Sequence, residues 1–228
     1  MTWLGRALIA SVALPVLVIG GAAAALTWPE LLWFPYHARI GAHDVYAERP
    51  IDAATVRAIA RADALLGASP IHAPGLGARI VLTRGGWRWR LLSVGVGDSF
   101  GLTRALNEAV VIGRNDPARD RVFSDRRIAN QRVLSGTIAH EITHTALRRR
   151  YGMAVDMRVP VWKREGYCDH VARDSALDDA TARRLIAERR TAPGLLYWQG
   201  RRRVAATLAA NGGSVDALFA ADGVTPQR

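Results

Sequence analysis

A pair of histidines in the middle of the chain constrains its fold more than any other feature of the sequence. The stretch TIAHEITHTALRRR, residues 137–150, places His140 and His144 four residues apart, with Glu141 between them. Positions i and i+4 share one face of an α-helix, so on a helix both imidazoles can reach one metal ion. Glu141 is rotated by about 100°, which leaves it near a water on that ion but poorly placed to be a ligand. The pattern by itself fits either a hydrolytic metal site or an amphipathic helix that happens to carry two histidines.

A catalytic zinc site needs three protein ligands and one open position, so the two histidines require a third partner. The metzincin continuation, HExxHxxGxxH, is ruled out because the run after His144 is TALRRRY. Glu165 follows 21 residues after His144, within the stretch VPVWKREGYCDHVA. From Ser135 to about Ala172 the chain resembles the gluzincin metallopeptidases, in which Trp, two residues, Glu, Gly and a small residue begin the second metal-binding helix.

The resemblance implies a residue-specific zinc site, whose ligands are His140, His144 and Glu165. Glu141 would polarise a water molecule and later pass its proton to the leaving amine. Asp169, four residues beyond Glu165, would orient the first histidine ligand; a charge on the helix surface is the alternative. Tyr197 is the candidate hydrogen-bond donor to the oxyanion, and a packing role in its helix is the alternative.

Further expectations concern the surroundings of this site. Gly166 would allow the two motif helices to approach closely, and Trp162 would pack beneath the site. Cys168 stands where the family pattern has a small residue, and is either an inert buried thiol or a further ligand. The strand predicted at Ala109–Arg114, ahead of the motif helix, is expected to bind an extended peptide substrate along its edge, and an ordinary core strand is the alternative.

The remaining patterns predict an α+β fold: a small mixed or antiparallel sheet, then an active-site helix and a helical C-terminal half in zincin-like order. Asp52 is the predicted N-cap of a helix whose apolar stripe includes Val56 and which ends at Gly67. The segment ARIVLTRGGWRWRLLSVG is predicted to form two strands joined at Gly85–Gly86. The helices predicted after the strands are Ile128–Arg150, Trp162–Ala176, Ala180–Arg190 and Leu195–Ala210.

The N-terminal segment RALIASVALPVLVIGGAAAAL, from Arg6 to Leu26, has no charge after Arg6. About 20 apolar residues rising about 1.5 Å each would cross a hydrocarbon layer of about 30 Å. We therefore expect residues 1–28 to form an uncleaved transmembrane anchor, and a cleaved signal segment is the alternative. Arg6 marks the cytoplasmic side, so residues 29–228 would form one extracytoplasmic domain, periplasmic in a Gram-negative cell and secreted if the segment is cleaved. Interfacial aromatics follow the apolar run at Trp28, Trp33, Phe34 and Tyr36.

Composition narrows the possible classes. The single cysteine excludes an intrachain disulfide. The chain has 228 residues, and the part that follows the N-terminal segment has a length that suits one compact domain. The net charge of +11 resides almost entirely on arginine, because Lys163 is the only lysine. Such a charge favours anionic partners such as lipid headgroups. The short clusters Arg148–Arg150 and Arg201–Arg203 have no zinc-finger spacing or aromatic platform beside them, so nucleic-acid binding is not expected.

Three functional hypotheses remain open at this point. The first is a membrane-tethered, zinc-dependent metallopeptidase that hydrolyses peptides or proteins. The second is an exported zinc-binding domain of the same fold without protease activity, acting as a scaffold or regulator. The third is an arginine-rich domain that binds anionic lipid or nucleic acid, with the histidine motif incidental. The sequence determines neither the cleavage specificity nor the oligomeric state.

Overall fold

A computed structural model of the protein describes residues 20–96, 99–125 and 128–227. These residues form an α+β fold with a small mixed sheet and a helical C-terminal half, as predicted. The helical elements are α1 (20–27), a 3-10 helix (Pro29–Leu32), α2 (Ala53–Gly67), α3 (Trp87–Leu92), α4 (Leu134–Tyr151), α5 (Val155–Arg158), α6 (Val161–Ala172), α7 (Asp179–Ala187), α8 (Pro193–Ala210) and α9 (Val215–Ala220). The strands are β1 (Tyr36–Ile40), β2 (His43–Ala47), β3 (Arg79–Leu82), β4 (Gly101–Thr103), β5 (Val110–Ile112), β6 (Asn115–Asp116), β7 (Arg121–Phe123) and β8 (Gln131–Val133).

The larger sheet has the strand order β1-β2-β3-β5-β4. β2, β3 and β5 run parallel, whereas β1 and β4 pair antiparallel at the two edges. α2 connects β2 to β3, as a parallel pair requires a crossover. The β1–β2 hairpin was not predicted; it turns at Gly41, whose φ of 58° is readily adopted by glycine. β6, β7 and β8 form a separate antiparallel sheet ahead of α4.

The two faces of the larger sheet are covered by different parts of the chain. Because side chains alternate along a strand, Ile80 and Leu82 of β3 enter the main core while Val81 points to the opposite face. The main core is built with α2, α4, α6, α8 and α9. Val81 instead packs with Phe34, Leu92, Leu102 and Val111. The sheet is therefore buried on both sides, by a thick helical layer on one and a thin layer on the other.

The predicted second strand of the Gly85–Gly86 hairpin is wrong, because Trp87–Leu92 forms helix α3. The alternation in WRWRLL resembles a strand pattern, but Trp89 and Leu92 also share the i, i+3 spacing of a helix face. Both pack on the sheet beside Val81. Tertiary contact with the sheet therefore decided between two patterns that the six residues satisfy equally.

Helix α2 begins and ends as predicted. The carboxylate of Asp52 accepts a hydrogen bond from the backbone N–H of Thr55 at 2.9 Å, and the helix ends at Gly67. The predicted apolar stripe is wrong at Val56, which is exposed. The face that packs into the core consists of Ala58, Ile59, Ala62 and Leu66. Small alanines there allow α2 to lie close to its neighbours.

The motif helix α4 starts at Leu134, six residues later than predicted, because residues 131–133 form β8 instead. Its N-terminus is capped from a distance: Oδ1 of Asp120 accepts the backbone N–H of Ser135 at 2.8 Å. A remote cap of this kind leaves no local signal in the sequence. Except near its C-terminus, α4 is buried from end to end, so it forms the centre of the domain.

Helix α6 ends at Ala172, earlier than the predicted Ala176, where Arg173 adopts a left-handed conformation with φ of 51°. The expected close approach at Gly166 exists, but its partner is α8 rather than the motif helix. A Cβ added at Gly166 would lie 2.4 Å from the carbonyl carbon of Gly200. The glycine pair thus fixes how α6 sits on α8. The C-terminal half also contains α9, which was not predicted.

Within the described ranges, no helix has the length and hydropathy needed to cross a bilayer. Most of the predicted anchor, Arg6–Leu26, lies outside the described residues. Its final part is helical over residues 20–26 and leads through Thr27 into Trp28 and the 3-10 helix.

Candidate metal centre

The candidate metal centre lies where α4 and α6 pack together, at the side chains of His140, His144 and Glu165. Oε2 of Glu165 is 3.3 Å from Nε2 of His140 and 3.5 Å from Nε2 of His144. Two metal–ligand bonds of about 2.0 Å that meet at a tetrahedral angle place their donor atoms about 3.3 Å apart. Both measured separations therefore fit a shared tetrahedral ion.

Cys168 offers an alternative third donor, and the geometry distinguishes it from Glu165. The donor atoms of His140, His144 and Cys168 lie within 4.8 Å of one another, so this buried group could also hold a metal ion. The Cys168 sulfur, however, is 3.6 Å from Nδ1 of His144, on the ring edge away from Glu165. Nδ1 of His140 is already occupied by Asp169, which leaves Nε2 of that ring for a metal. Glu165 approaches the Nε2 atom of both rings, and it is therefore the better third ligand.

The thiol of Cys168 fits the role of an inert neighbour. It is fully buried, as the first of its two predicted interpretations requires. Burial raises the pKa of this thiol well above its usual value, and the carboxylates of Glu165 and Glu141 raise it further. The sulfur lies 3.6 Å from Nδ1 of His144, where it can pack against that ring and hold it in place.

Asp169 is fully buried, so the alternative that it is a surface charge is wrong. Its Oδ1 accepts a hydrogen bond from Nδ1 of His140 at 2.8 Å and another from Nη2 of Arg132 at 2.9 Å. Arg132 also donates from Nε to Asp174 at 3.1 Å. This chain fixes the His140 ring with Nε2 directed towards Glu165, as expected for a carboxylate behind a ligating histidine.

The charges in this cluster shift one another. Burial opposes the ionised form of Asp169, but Arg132 and the hydrogen bond from His140 hold its pKa below the usual value. Burial likewise opposes the charged form of His140, yet Asp169 and Glu165 raise its pKa to about 10. For Glu165, burial is outweighed by the two histidines, which bring its pKa well below normal. The carboxylates are therefore ionised and ready to stabilise a bound cation.

Glu141 is held beside the pair of histidines by a residue that sequence analysis did not identify. Oγ1 of Thr103, at the end of β4, lies 2.7 Å from Oε2 of Glu141 and 2.7 Å from its backbone oxygen. Gly101, two residues earlier, leaves room for the carboxylate, since a Cβ there would lie 3.3 Å from Oε1 of Glu141. β4 thus positions the candidate base, and its three residues had no sequence pattern that marked them.

An open cavity of about 370 Å³ lies over this centre. Its lining includes both histidines, Glu141, Glu165, all of β4 and Tyr197 of α8. The structure therefore brings Tyr197, the predicted oxyanion donor, to the same cavity as the other candidates. Tyr197 is far from Glu165 in the sequence, but α8, which carries Tyr197, packs on α6, which carries Glu165.

The predicted substrate strand is wrong in its position. Val110–Ile112 forms β5, but β5 lies between β3 and β4, so both of its edges are paired. The edge strand beside Glu141 is β4. A run of apolar residues such as AVVI is typical of a strand buried on both faces, which is the environment of β5.

Two arginines beside the centre were also missed as site residues. Arg148 lies one turn beyond His144 on α4, and Arg164 directly precedes Glu165. Nε of Arg148 donates to Oδ2 of Asp156 at 2.6 Å, and Nη1 of Arg164 donates to the backbone oxygen of the same residue at 2.6 Å. The i+4 spacing of Arg148 from His144 was the available signal.

Two other expectations have mixed outcomes. Trp162 is partly buried against the main core, with the guanidinium of Arg203 stacked 3.7 Å from its ring centroid. Its ring therefore packs towards α8, and its expected position beneath the metal site stays a prediction. His43, outside the site, is also buried: its Nε2 lies 2.7 Å from Oδ1 of Asp63, and its Nδ1 accepts the N–H of Ala78. That histidine supports the β2–β3 region rather than the cavity.

Comparison with known proteins identifies no relative of this chain. No protein-family model, curated protein or solved structure matches the chain significantly.

Proposed function

We propose that the protein is a zinc-dependent metallopeptidase of gluzincin type that hydrolyses peptides or proteins. The observation that carries the proposal is the approach of one carboxylate oxygen of Glu165 to Nε2 of both motif histidines. Two imidazoles and one carboxylate are a donor set found in catalytic zinc sites. Such a set, below an open cavity, leaves one coordination position for water or substrate.

Zinc bound to His140, His144 and Glu165 would lower the pKa of water and polarise a peptide carbonyl. The protein's own groups perform the proton transfers. Glu141 lies at the cavity with its carboxylate fixed by Thr103, in a position to accept a proton from water and to return it to the leaving amine. Asp169 accepts the Nδ1 proton of His140, so that Nε2 is the atom that would bind a metal once the metal has displaced its proton.

The free edge of β4 supplies a site for the substrate backbone. An extended peptide that adds to a sheet edge gains main-chain hydrogen bonds, and β4 is the edge strand that lines the cavity. Tyr197, on the same cavity, would donate its hydroxyl to the developing oxyanion. We further propose that the apolar N-terminal segment tethers the domain to the membrane, with the domain on the extracytoplasmic side.

The test is Glu141→Gln, which keeps the shape of the side chain and removes its basicity. Peptide hydrolysis should fall by about 10²–10⁴-fold, the usual contribution of a general base. Zinc content should stay near about one ion per chain, because Glu141 is not among the proposed ligands. Metal analysis and hydrolysis of a peptide library are measured on the same preparations, beside the exposed control Glu188→Gln, which should behave as wild type.

The results separate the proposal from its alternatives. His140→Ala and Glu165→Ala should each lose the zinc. Hydrolysis that survives Glu141→Gln would contradict the assigned base. A zinc-loaded wild type that cleaves no peptide would favour the non-catalytic zinc-binding domain, and a protein that binds no zinc would remove the metal site altogether.

A further inference from the structure

The thin layer on the outer face of the sheet has an unusual exterior. We call it the outer layer, and it consists of residues 29–34 and α3. Arg88 joins its two parts: Nε donates to the backbone oxygen of Leu32 at 3.1 Å and Nη2 to that of Trp33 at 3.0 Å. The same guanidinium lies 4.6 Å from the centroid of the Trp87 ring. Trp33 and Trp87 are thereby held on one continuous surface.

This surface is apolar and exposed. Trp33 is 77% exposed, Leu31 62% and Trp87 57%. Val94, just after α3, is exposed as well. Single exposed apolar side chains are common, but several large ones on two segments that Arg88 joins indicate a contact surface for a partner or a membrane.

Fold stability does not explain the tryptophan at position 33. Its backbone has a φ of 49°, a left-handed conformation that is rare for a bulky residue. Glycine would adopt this conformation without strain. The side chain gains little burial in return, since most of it faces outward. A large aromatic residue that is both strained and exposed points to an interaction outside the domain.

The charges of the outer layer indicate an anionic partner. Its acidic residue Glu30 pairs with Arg79, and Arg88 pairs with Glu48 at 2.7 Å. Arg84 and Arg90, at either end of this region, are exposed. Exposed tryptophans together with arginines are the side chains that settle in the headgroup region of a bilayer.

The chain also leads from an apolar segment directly into this layer. Residues 7–26 contain no charged residue, and the helix at 20–27 ends next to the 3-10 helix of the outer layer. We propose that the outer layer is a membrane-docking surface, which seats the domain on an anionic lipid bilayer through Leu31, Trp33 and Trp87. Val96, in the loop after α3, lines the cavity over the metal centre. Docking through the outer layer would therefore bring Val96, on one side of that cavity, close to the lipid surface.

The test measures lipid contact in the full chain. The chain is incorporated, one copy per disc, into lipid nanodiscs that contain anionic lipid and a nitroxide in the headgroup region. A fluorophore is attached at Trp87→Cys in one sample and at Val56→Cys in the other; the native Cys168 is fully buried and escapes labelling. Val56 is the matched control, because it is 42% exposed on α2, which covers the opposite face of the sheet.

Docking predicts that the nitroxide quenches the label at position 87 several-fold more than the label at 56. Iodide in solution should quench the two labels in the reverse order. The double variant Arg84→Glu, Arg90→Glu should reduce lipid quenching at 87, and so should replacing the anionic lipid by a zwitterionic one. Trp33→Gly should do the same without lowering thermal stability.

Two results would overturn the proposal. The first is equal quenching at positions 87 and 56 in both assays. The second is protection of position 87 only in discs that hold two chains, which would mean that a second copy covers the surface. Because the readout is lipid proximity, neither result depends on whether the protein binds zinc or hydrolyses peptides.

Discussion

The two faces of the five-stranded sheet deal with polar and apolar groups in opposite ways. The helical face buries charged side chains beside α4, and each of them is balanced by a partner: His140 by Asp169, Asp169 by Arg132, Arg132 by Asp174. The outer face exposes large apolar side chains on a layer only one short helix thick. Buried charge needs a partner within the chain, whereas a group of exposed aromatic side chains is open to a partner outside it.

The difference reflects the cost of burial. An ion taken out of water is tolerated only when opposite charges and hydrogen bonds replace its hydration, and the cluster around Asp169 provides both. In the part of the chain that the structure describes, the apolar exterior of the outer layer faces outward, and it includes a strained backbone at Trp33. One face therefore suits the chemistry that we propose, and the other suits the membrane contact that we propose.

The largest expected effect is on the free energy of unfolding, when a large side chain on each face in turn is replaced by a small one. Ile80→Ala, on the helical side of β3, should reduce the free energy of unfolding by about 2–5 kcal/mol, because it leaves a cavity in the main core. Trp33→Gly, on the outer layer, should change it by less than about 1 kcal/mol, and towards greater stability, since strain is relieved. Chemical denaturation of both variants measures the contrast. A large loss for Trp33→Gly would show that the outer layer is part of the stabilising core.

A smaller effect is expected from Asp169→Asn within the buried cluster. The amide cannot hold His140 by charge, so zinc affinity should fall by about 10–100-fold, the usual cost of losing a group behind a metal ligand. Competition with a chelator gives the affinity. The control Asp125→Asn alters an exposed carboxylate and should leave zinc binding unchanged. Unchanged affinity in Asp169→Asn would reduce this residue to a structural partner of Arg132.

Counted per pH unit, the smallest effect is a dependence of zinc affinity on pH that only the helical face should show. Without metal, the carboxylates around His140 raise its pKa to about 10, so the ring is protonated at neutral pH. Zinc must displace that proton, and its affinity should rise by about tenfold per pH unit between pH 6 and 9. Residues 29–34 and α3 contain no histidine, so lipid quenching of the position-87 label should not change over this range. Zinc affinity that is flat with pH would contradict the charged state of His140.

Much of the helical half followed from local patterns. The N-cap at Asp52, the end of α2 at Gly67 and the identity of α4 and α6 all rest on interactions between residues a few positions apart, which the sequence displays directly. The same holds for the i, i+4 pair His140 and His144. Features that depend on remote partners were missed, such as the cap of α4 by Asp120 and the support of Glu141 by Thr103.

Helix α3, which was predicted to be a strand, shows why the hydrophobic period alone is insufficient to predict secondary structure. Six residues of WRWRLL satisfy both a strand and a helix pattern, and only contact with Val81 and its neighbours favours the helix. The edge strand of the sheet was predicted wrongly for a similar reason. Strand order is a property of three-dimensional pairing, so nothing within Val110–Ile112 reveals that β4 covers its outer side.

The sequence by itself determined that two imidazoles share a helix face and that a glutamate follows on a second helix, because helical periodicity is local. Only the tertiary structure decided that Glu165 approaches Nε2 of both rings while Cys168 lies at Nδ1 of His144. It likewise decided that tryptophans 54 residues apart share one exposed surface. Such convergence depends on how helices pack and strands pair, and those long-range contacts are set by the burial of the whole chain rather than by any short segment.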